Sequence, residues 1–283
     1  MPVYNGDQYI ESSLNSLLKQ SFGDFELIIS DNASTDKTED ICEAICQIDP
    51  RVKYIRQPQT VSAFENFNFV LNTAQTDYFQ WAACDDLWDI DWLKSCFDDI
   101  KKSDKEIFAF GLLQFINAQG NKIAHAGNDF AYPLHSKNPL IRCNGYYLMP
   151  ESFGKANLIY SLMPTKTVKA IVSSFTESDH PFADVVLVTR IVEALSLQQN
   201  NKSHFYKRVH PNNAGGRLFS GMLSRYRWFY VIKVLFIMLP VQTITAVTNR
   251  TTKALMVLLW PIKVMLAVCG IIYSRTLIGS NLR

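Results

Sequence analysis

Two adjacent carboxylates, Asp85 and Asp86, follow the apolar run YFQWAA at residues 78–83 and precede a helical pattern. Adjacent carboxylates can bind a hard divalent cation through oxygen, and Mg²⁺ or Mn²⁺ commonly bridges protein carboxylates and substrate phosphates. The alternative is structural, with one aspartate capping a helix and the other solvated. Asp89 and Asp91 could supply the caps instead, which would leave the pair for a metal.

A third carboxylate, Asp31, directly follows the apolar run FELIIS at residues 25–30. A carboxylate at the end of a strand can accept hydrogen bonds from a nucleobase or a ribose. Its alternative role is to cap the turn that follows.

Apolar periodicity places these carboxylates between alternating strands and helices. It predicts strands over 25–30, 52–56, 78–83 and 107–117, and helices over 9–20, 63–74 and 91–103 and around 156–163. The residues 34–36 supply a cap for a further helix that runs through Ile48. This alternation indicates an α/β fold with a mostly parallel sheet and helices on both faces. Because ligands bind beyond the carboxyl ends of such strands, the sequence predicts a site formed by Tyr4-Asn5, Asp31-Asn32 and Asp85-Asp86.

Three segments together resemble glycosyltransferase family 2, the inverting enzymes of GT-A (Rossmann-like) fold. They are PVYNG at 2–6, SLLKQSFGDFELIISDNASTDKT at 16–38 and YFQWAACDDLW at 78–88. The resemblance is strong over residues 1–115, as a nucleotide-binding half, and weaker over 116–215, as an acceptor half.

The resemblance implies a role for each matching residue. Val3 and Tyr4 contact the nucleobase, and Asp31 holds the base or ribose. Asp85 and Asp86 form the acidic metal motif, in which Asp86 binds Mg²⁺ or Mn²⁺ directly. Asp184, in FADVVLVTRI, is the general base, with a helix N-cap as its alternative role. His210, in FYKRVHPNN, approaches the metal or the diphosphate, unless it is a plain surface histidine.

The implied reaction moves a sugar, with inversion, from a nucleotide-sugar to a glycan or lipid-linked acceptor during surface polysaccharide synthesis. A UDP-sugar is the expected donor, GDP and dTDP remain open, and no nucleic acid partner is expected. The alternatives are a catalytically impaired binding or scaffold protein, and a nucleotidyltransferase. The second usually needs a glycine-rich phosphate loop, which NGDQYIES at residues 5–12 does not provide.

The chain departs from the family pattern in two places. The apolar strand that usually precedes PVYN is missing or truncated, so we expect the natural protein to start upstream of Met1. The family's Asn-x-Gly step after the third strand is replaced by QTVS at residues 59–62, which predicts a different donor loop.

Charge separates the body of the chain from its tail. Residues 1–193 contain 16 basic and 26 acidic residues, whereas residues 194–283 contain 12 basic residues and no acidic one. The tail, 216–283, includes two apolar stretches, 228–247 and 254–273, each with a lysine and a proline. We expect amphipathic or re-entrant helices on the cytoplasmic face of the membrane. A spanning hairpin, a soluble helical cap and a dimer interface are the alternatives.

Composition excludes several classes of protein. With 48% hydrophobic and 19% charged residues, the chain is neither intrinsically disordered nor a disulfide scaffold. Its six cysteines show no metal-binding spacing and are expected to be reduced, as in a cytoplasmic protein.

Overall fold

The computed structural model describes residues 1–175, 183–211 and 239–280. Contacts divide the chain into two compact units. Unit 1 comprises residues 1–111, 159–183 and 200–206, and unit 2 comprises 112–158, 184–199 and 207–283. The predicted boundaries of a 1–215 domain and a 216–283 tail remain a prediction, because residue 215 lies outside the described residues.

Unit 1 is built on a parallel sheet with the strand order β1-β2-β3. The strands are β1 (Pro2–Val3), β2 (Leu27–Asp31) and β3 (Val52–Arg56). The helices that alternate with them are α1 (Ile10–Leu18), α2 (Thr38–Ile48) and α3 (Ala63–Thr73). The predicted α/β architecture is therefore confirmed, and β1 is indeed short.

Buried polar groups in the sheet are paired. Every residue of β2 is buried, and the Ser30 hydroxyl donates to Asn66 Oδ1 of α3 at 2.6 Å. At the start of the chain, the Met1 amino group donates to the Ile28 carbonyl at 2.6 Å, and Ser30 N donates to the Met1 carbonyl at 2.9 Å. These bonds satisfy backbone groups that burial would otherwise leave unpaired.

The remaining strands pair differently from the prediction. β4 (Tyr78–Phe79) is antiparallel to β7 (Met163–Pro164), and β5 (Leu87–Trp88) is antiparallel to part of β8 (Ser196–Arg208). β8 lies between β5 and β6 (Ile107–Ile116). The predicted strand over 78–83 ends at Phe79, and Trp81 beyond it donates its indole N–H to the Phe67 carbonyl at 3.0 Å.

Two helices complete unit 1, α4 (Trp92–Lys101) and α6 (Thr165–Ser173). Trp92, at the start of α4, is fully buried and meets Phe110 edge to face with ring centroids 5.1 Å apart. Phe205 of β8 packs 6.1 Å from both rings. Trp88 of β5, the strand that follows Asp85 and Asp86, packs against the same cluster with its ring 5.5 Å from that of Phe205.

Unit 2 is mainly helical. Its helices are α5 (Pro139–Leu148), α7 (Ala183–Ala194), α8 (Leu239–Ala246) and α9 (Arg250–Ser280), with a 3₁₀ turn at Glu151–Phe153. A second 3₁₀ segment, Lys155–Tyr160, replaces the helix predicted over 156–163. Sequence patterning missed α5, although Asn138 caps it and Pro139 starts it.

Among the residues that the structure describes, no helix is both long and apolar enough to cross a bilayer. Most of the apolar stretch 228–247 lies outside those residues, and the stretch 254–273 lies within α9.

Candidate functional site

The loops that follow β1 and β2 are held side by side by hydrogen bonds. Asn5 N donates to Ser34 Oγ at 2.9 Å, and Thr35 N donates to Asn5 Oδ1 at 2.8 Å. Gly6 N donates to Thr38 Oγ1 at 2.9 Å. Asn5 adopts a left-handed backbone with φ 50°, a conformation that asparagine tolerates better than most residues. These bonds join the two loops into one surface at the carboxyl edge of the parallel sheet.

A third loop joins the same edge through Asn32, the residue after β2. Its side-chain amide donates to the Val61 carbonyl at 2.8 Å, and its Oδ1 accepts from Val61 N at 2.8 Å. Val61 belongs to QTVS, the segment that departs from the family pattern. In this chain, paired side-chain and backbone bonds hold the loop.

Asp31 lies at the end of β2, and no part of its side chain is exposed. Its Oδ1 accepts from Ser34 N at 2.9 Å, so its predicted alternative role in the following turn is present. Its Oδ2 accepts from Tyr54 hydroxyl at 2.7 Å and from Arg56 at 2.9 Å. Asp31 therefore orients Arg56, whose side chain is 34% exposed, while its own predicted contact with the base or ribose remains a prediction.

Sequence reasoning missed Tyr54 and Arg56, although a signal was present. Residues two apart in a strand point to the same side, and Asp31 pairs in register with Arg56. Burial, followed by the hydrogen bond to Asp31, raises the pKa of the Tyr54 hydroxyl. Tyr54 therefore stays protonated and donates to Asp31 throughout the physiological pH range.

The Asp85-Asp86 pair lies between β4 and β5, next to the loop that follows β1. A Cβ on Gly6 would lie 2.7 Å from Val3 Cγ2 and 3.2 Å from Cys84 Sγ, so the absence of a side chain at Gly6 helps the two loops to lie this close. Ser13 of α1 donates to the Ala83 carbonyl at 3.0 Å and fixes the same segment. The structure thus brings Asp85 and Asp86 near the Asn5 loop, within unit 1.

The two aspartates differ in burial. Asp86 has no exposed surface, and Asp85 is half-buried. No group of three or more His, Cys, Asp or Glu side chains in the described part of the chain is arranged to hold a metal. Two carboxylates nonetheless fit Mg²⁺ or Mn²⁺, because these hard ions usually take one or two protein carboxylates and obtain further oxygens from phosphates and water. The assignment of Asp86 as the direct ligand remains a prediction.

The proposed capping roles of Asp89 and Asp91 are wrong. Asp89 instead accepts from His204 N at 2.7 Å and from Tyr206 hydroxyl at 2.8 Å, which fixes β8 beside β5. Asp91 precedes α4 but makes no side-chain cap. The first turn of α4 is satisfied by Gln20, whose Oε1 accepts from Leu93 N at 2.8 Å. A cap contributed from 73 residues away leaves no local sequence signal.

Val3 and Tyr4, the predicted base contacts, lie at the same edge but differ in exposure. Val3 is 3% exposed and ends β1, while Tyr4 is 52% exposed in the loop that follows. Tyr4 therefore has the accessible ring, whereas the Val3 side chain is buried beneath the loop. Their contacts with a nucleobase remain a prediction.

Asp184 and His210, the other predicted site residues, belong to unit 2. Asp184 lies in the first turn of α7, exposed, and its Oδ1 accepts from Val185 N at 2.8 Å. His210 is only 9% exposed, so it is not a plain surface histidine. Their proposed chemical roles remain predictions.

The pKa of Asp184 is raised, which suits a base that must accept a proton. Although the residue is exposed, the protein around its carboxyl group partly desolvates it and raises the pKa, against the opposing effects of the Val185 amide and Lys207. We expect the rate of transfer to fall on acidification with a midpoint above 3.8, the ordinary value.

An Asp184→Asn variant tests that expectation. If Asp184 is the general base, its removal should reduce the rate by about 10²–10⁴-fold and abolish the acidic limb of the pH–rate profile. Initial rates measured across the acidic and neutral range report both effects. If the variant kept the acidic limb unchanged, the titration responsible for that limb would belong to a different group.

Comparison with known proteins gives consistent matches. A family model described as Glycosyl transferase family 2 matches residues 1–158. The putative teichuronic acid biosynthesis glycosyltransferase TuaG of Bacillus subtilis is 29% identical over 160 residues, which cover 56% of this chain and 63% of TuaG. The chain spans between 28% and 64% of the length of three further bacterial glycosyltransferases.

Two solved structures have similar folds. TarS 1-349 of S. aureus, in complex with UDP-GlcNAc, has a TM-score of 0.62 and 17% identity, covering 90% of this chain and 68% of that one. The mannosyltransferase PcManGT of Pyrobaculum calidifontis, in complex with GDP-Man and Mn²⁺, has a TM-score of 0.52 and 13% identity, covering 96% and 85%. At these identities the likeness establishes the fold.

Proposed function

The chain belongs to glycosyl transferase family 2, and from that membership we propose that it transfers a sugar from a nucleotide-sugar to an acceptor hydroxyl, with inversion. The observation that carries the proposal is the carboxyl edge of the sheet in unit 1. There the loops after β1, β2 and β3 are bonded together, and the Asp85-Asp86 segment packs against Gly6. Such an edge is where α/β sheets bind nucleotides.

Each residue of this proposal has a defined task. Tyr4 contacts the base, and Arg56, oriented by Asp31, lies at the surface to meet the nucleotide. Asp86, with Asp85 beside it, would hold Mg²⁺ or Mn²⁺, which supplies positive charge where the departing diphosphate becomes more negative. Asp184 accepts the proton of the acceptor hydroxyl on a carboxylate oxygen. His210 assists at the diphosphate.

We further propose a UDP-sugar as donor and a growing surface polysaccharide, or its lipid-linked precursor, as acceptor. Two likenesses support this: TarS was solved with UDP-GlcNAc, and TuaG is described as a putative teichuronic acid biosynthesis glycosyltransferase. The place of action is the cytoplasmic face of the membrane, a proposal supported by the 12 basic residues and absence of acidic ones after residue 193.

Thermal unfolding with a panel of nucleotides tests the donor. A ligand that binds only the folded protein stabilises it by about 2.7 kcal/mol at one hundred times its Kd. We expect UDP with Mn²⁺ to raise the Tm most, and UDP alone, Mn²⁺ alone and UMP with Mn²⁺ to raise it less. A larger Tm increase with GDP or dTDP would indicate that the donor carries that nucleotide instead. No Tm increase with any nucleoside diphosphate would contradict the proposal.

A further inference from the structure

The exposed side chains of α9 form a single stripe along its described part. At 100° per residue, the exposed positions between Arg250 and Met265 fall on one face, and all the buried ones fall on the opposite face. The exposed positions are Arg250, Thr251, Ala254, Val257, Leu258, Pro261, Ile262 and Met265. From Ala254 onward every member is apolar, and Leu258 is 74% exposed. We name Ala254 to Met265 on this face the outward stripe.

The opposite face of α9 carries polar groups into unit 2. Thr252 and Lys263 are buried there together with Met256. Lys263 Nζ donates to the Met149 carbonyl at 2.9 Å and to the Glu151 carboxylate at 2.9 Å. The helix therefore turns Lys263 inward and a row of aliphatic side chains outward, the reverse of the usual surface helix of a soluble protein.

The orientation of α9 is fixed at both ends of the outward stripe. At one end, Lys263 makes the contacts described above. At the other end, in the turn before the helix, the Glu193 carboxylate accepts from Thr248 N and Asn249 N, both at 2.9 Å. Arg190 donates to the Ala246 carbonyl at 2.9 Å. Because bonds at both ends resist rotation about the helix axis, the apolar face is presented outward before any partner binds.

We propose that the outward stripe binds the surface of an anionic lipid bilayer. Exposed Arg250 and half-buried Lys253 lie at one end of the stripe, and residues 194–283 contain 12 basic residues with no acidic one. Anionic headgroups attract such a surface, while the hydrocarbon boundary takes up the aliphatic side chains.

A second copy of the chain fits the stripe less well. Pairing two tails would bring together surfaces of one sign of charge, which repel. The stripe, about 18 Å by 10 Å from helix geometry, is also far smaller than the roughly 800 Å² that each partner buries in a stable interface. A bilayer has neither restriction, because it supplies the opposite charge and an unlimited area.

Flotation or sedimentation of the full chain with vesicles tests the proposal. We expect binding to phosphatidylcholine vesicles that contain about one third phosphatidylglycerol, and weaker binding without phosphatidylglycerol or in high salt. Leu258→Asp and Ile262→Asp should each weaken the partition coefficient about tenfold or more. Ile48→Asp is the matched control, because Ile48 is 83% exposed in unit 1 and should leave binding unchanged.

Several results would overturn the proposal. The proposal fails if wild-type protein stays unbound on anionic vesicles, or if Leu258→Asp binds them as well as wild type does. If Leu258→Asp instead changed the solution mass, the stripe would be an interface between copies. A lower Tm with unchanged vesicle binding would mean that the chain itself covers the stripe. If Leu258→Asp does not fold, Leu258→Ser, which adds no charge, replaces it in the vesicle-binding measurement. No nucleotide is present, so these outcomes are independent of the transferase proposal.

Discussion

Replacing Asp86 by asparagine is expected to lower kcat for hydrolysis or transfer of a UDP-sugar by about 10²–10³-fold, the range seen when one group that stabilises developing negative charge is removed. Asparagine keeps the size and much of the hydrogen bonding of a side chain that has no exposed surface, so folding should be retained. The measurement is initial rate against Mn²⁺ concentration. The variant should need more metal for half-maximal rate and should reach a lower plateau.

Two neighbouring aspartates provide the controls for Asp86→Asn. Asp91 is exposed and its carboxylate accepts only a hydrogen bond from Ser21 among the described contacts, so Asp91→Asn should leave the rate unchanged. Asp85→Asn separates the members of the pair, because Asp85 is half-buried. If Asp85→Asn alone raised the metal requirement, Asp85 would be the direct ligand. If no variant differed from wild type, the scaffold alternative would be favoured.

The position of the carboxyl edge of the parallel sheet, where the candidate site lies, could be predicted from the sequence because parallel strands determine it. Each strand-to-helix change in the parallel sheet places the following loop at the same edge, so Asn5 and Asp31 had to lie near one another once the order of elements was known. The period of the apolar residues supplied that order. Asp85 follows β4, which lies outside that sheet, and its segment approaches the Asn5 loop where Cys84 meets Gly6. Burial could not be predicted in the same way: the pattern gives no sign that Asp31 and Asp86 are enclosed and that Arg56 is the exposed group.

Contacts between distant parts of the chain account for what the sequence did not predict. Asp89 resembles a helix cap locally, yet its carboxylate is bound by Tyr206, 117 residues later. Lys263 stands in an apolar stretch that suggested lipid contact, yet it pairs with Glu151, 112 residues earlier. Partners at such separation leave no periodic or spacing signal, so local patterning predicts the element and misses what its side chain binds.

Glu151→Gln is expected to destabilise the protein more than any surface substitution, because it leaves two buried lysines without their shared carboxylate. Glu151 contacts Lys155 at 3.0 Å and Lys263 at 2.9 Å, and each lysine side chain is 2% exposed. Loss of one partner from a buried pair costs about 3–5 kcal/mol. Since the Glu151 side chain is 26% exposed, solvent screens part of this, and we expect about 2–3 kcal/mol in urea unfolding.

The pH dependence of stability identifies the cause of that loss. Burial alone would raise the pKa of Glu151, but Lys155 and Lys263 outweigh it and lower the pKa from 4.5 to about 2. A carboxyl group whose pKa is lowered in the folded state contributes its full stabilisation of the fold at pH values above its pKa in the unfolded chain. This contribution disappears as the pH falls from about 4.5 towards 2. Wild type should lose this contribution over that window, and Glu151→Gln should not.

Asp98→Asn is the matched control for Glu151→Gln, because it removes a carboxylate from an exposed pair with Lys94, four residues away on α4. Such pairs contribute about 0.3–0.5 kcal/mol, so the control should unfold almost as wild type does. Equal stability of the two variants would contradict the buried network. It would also remove the Lys263–Glu151 contact as support for the orientation of α9, in which Lys263 faces inward.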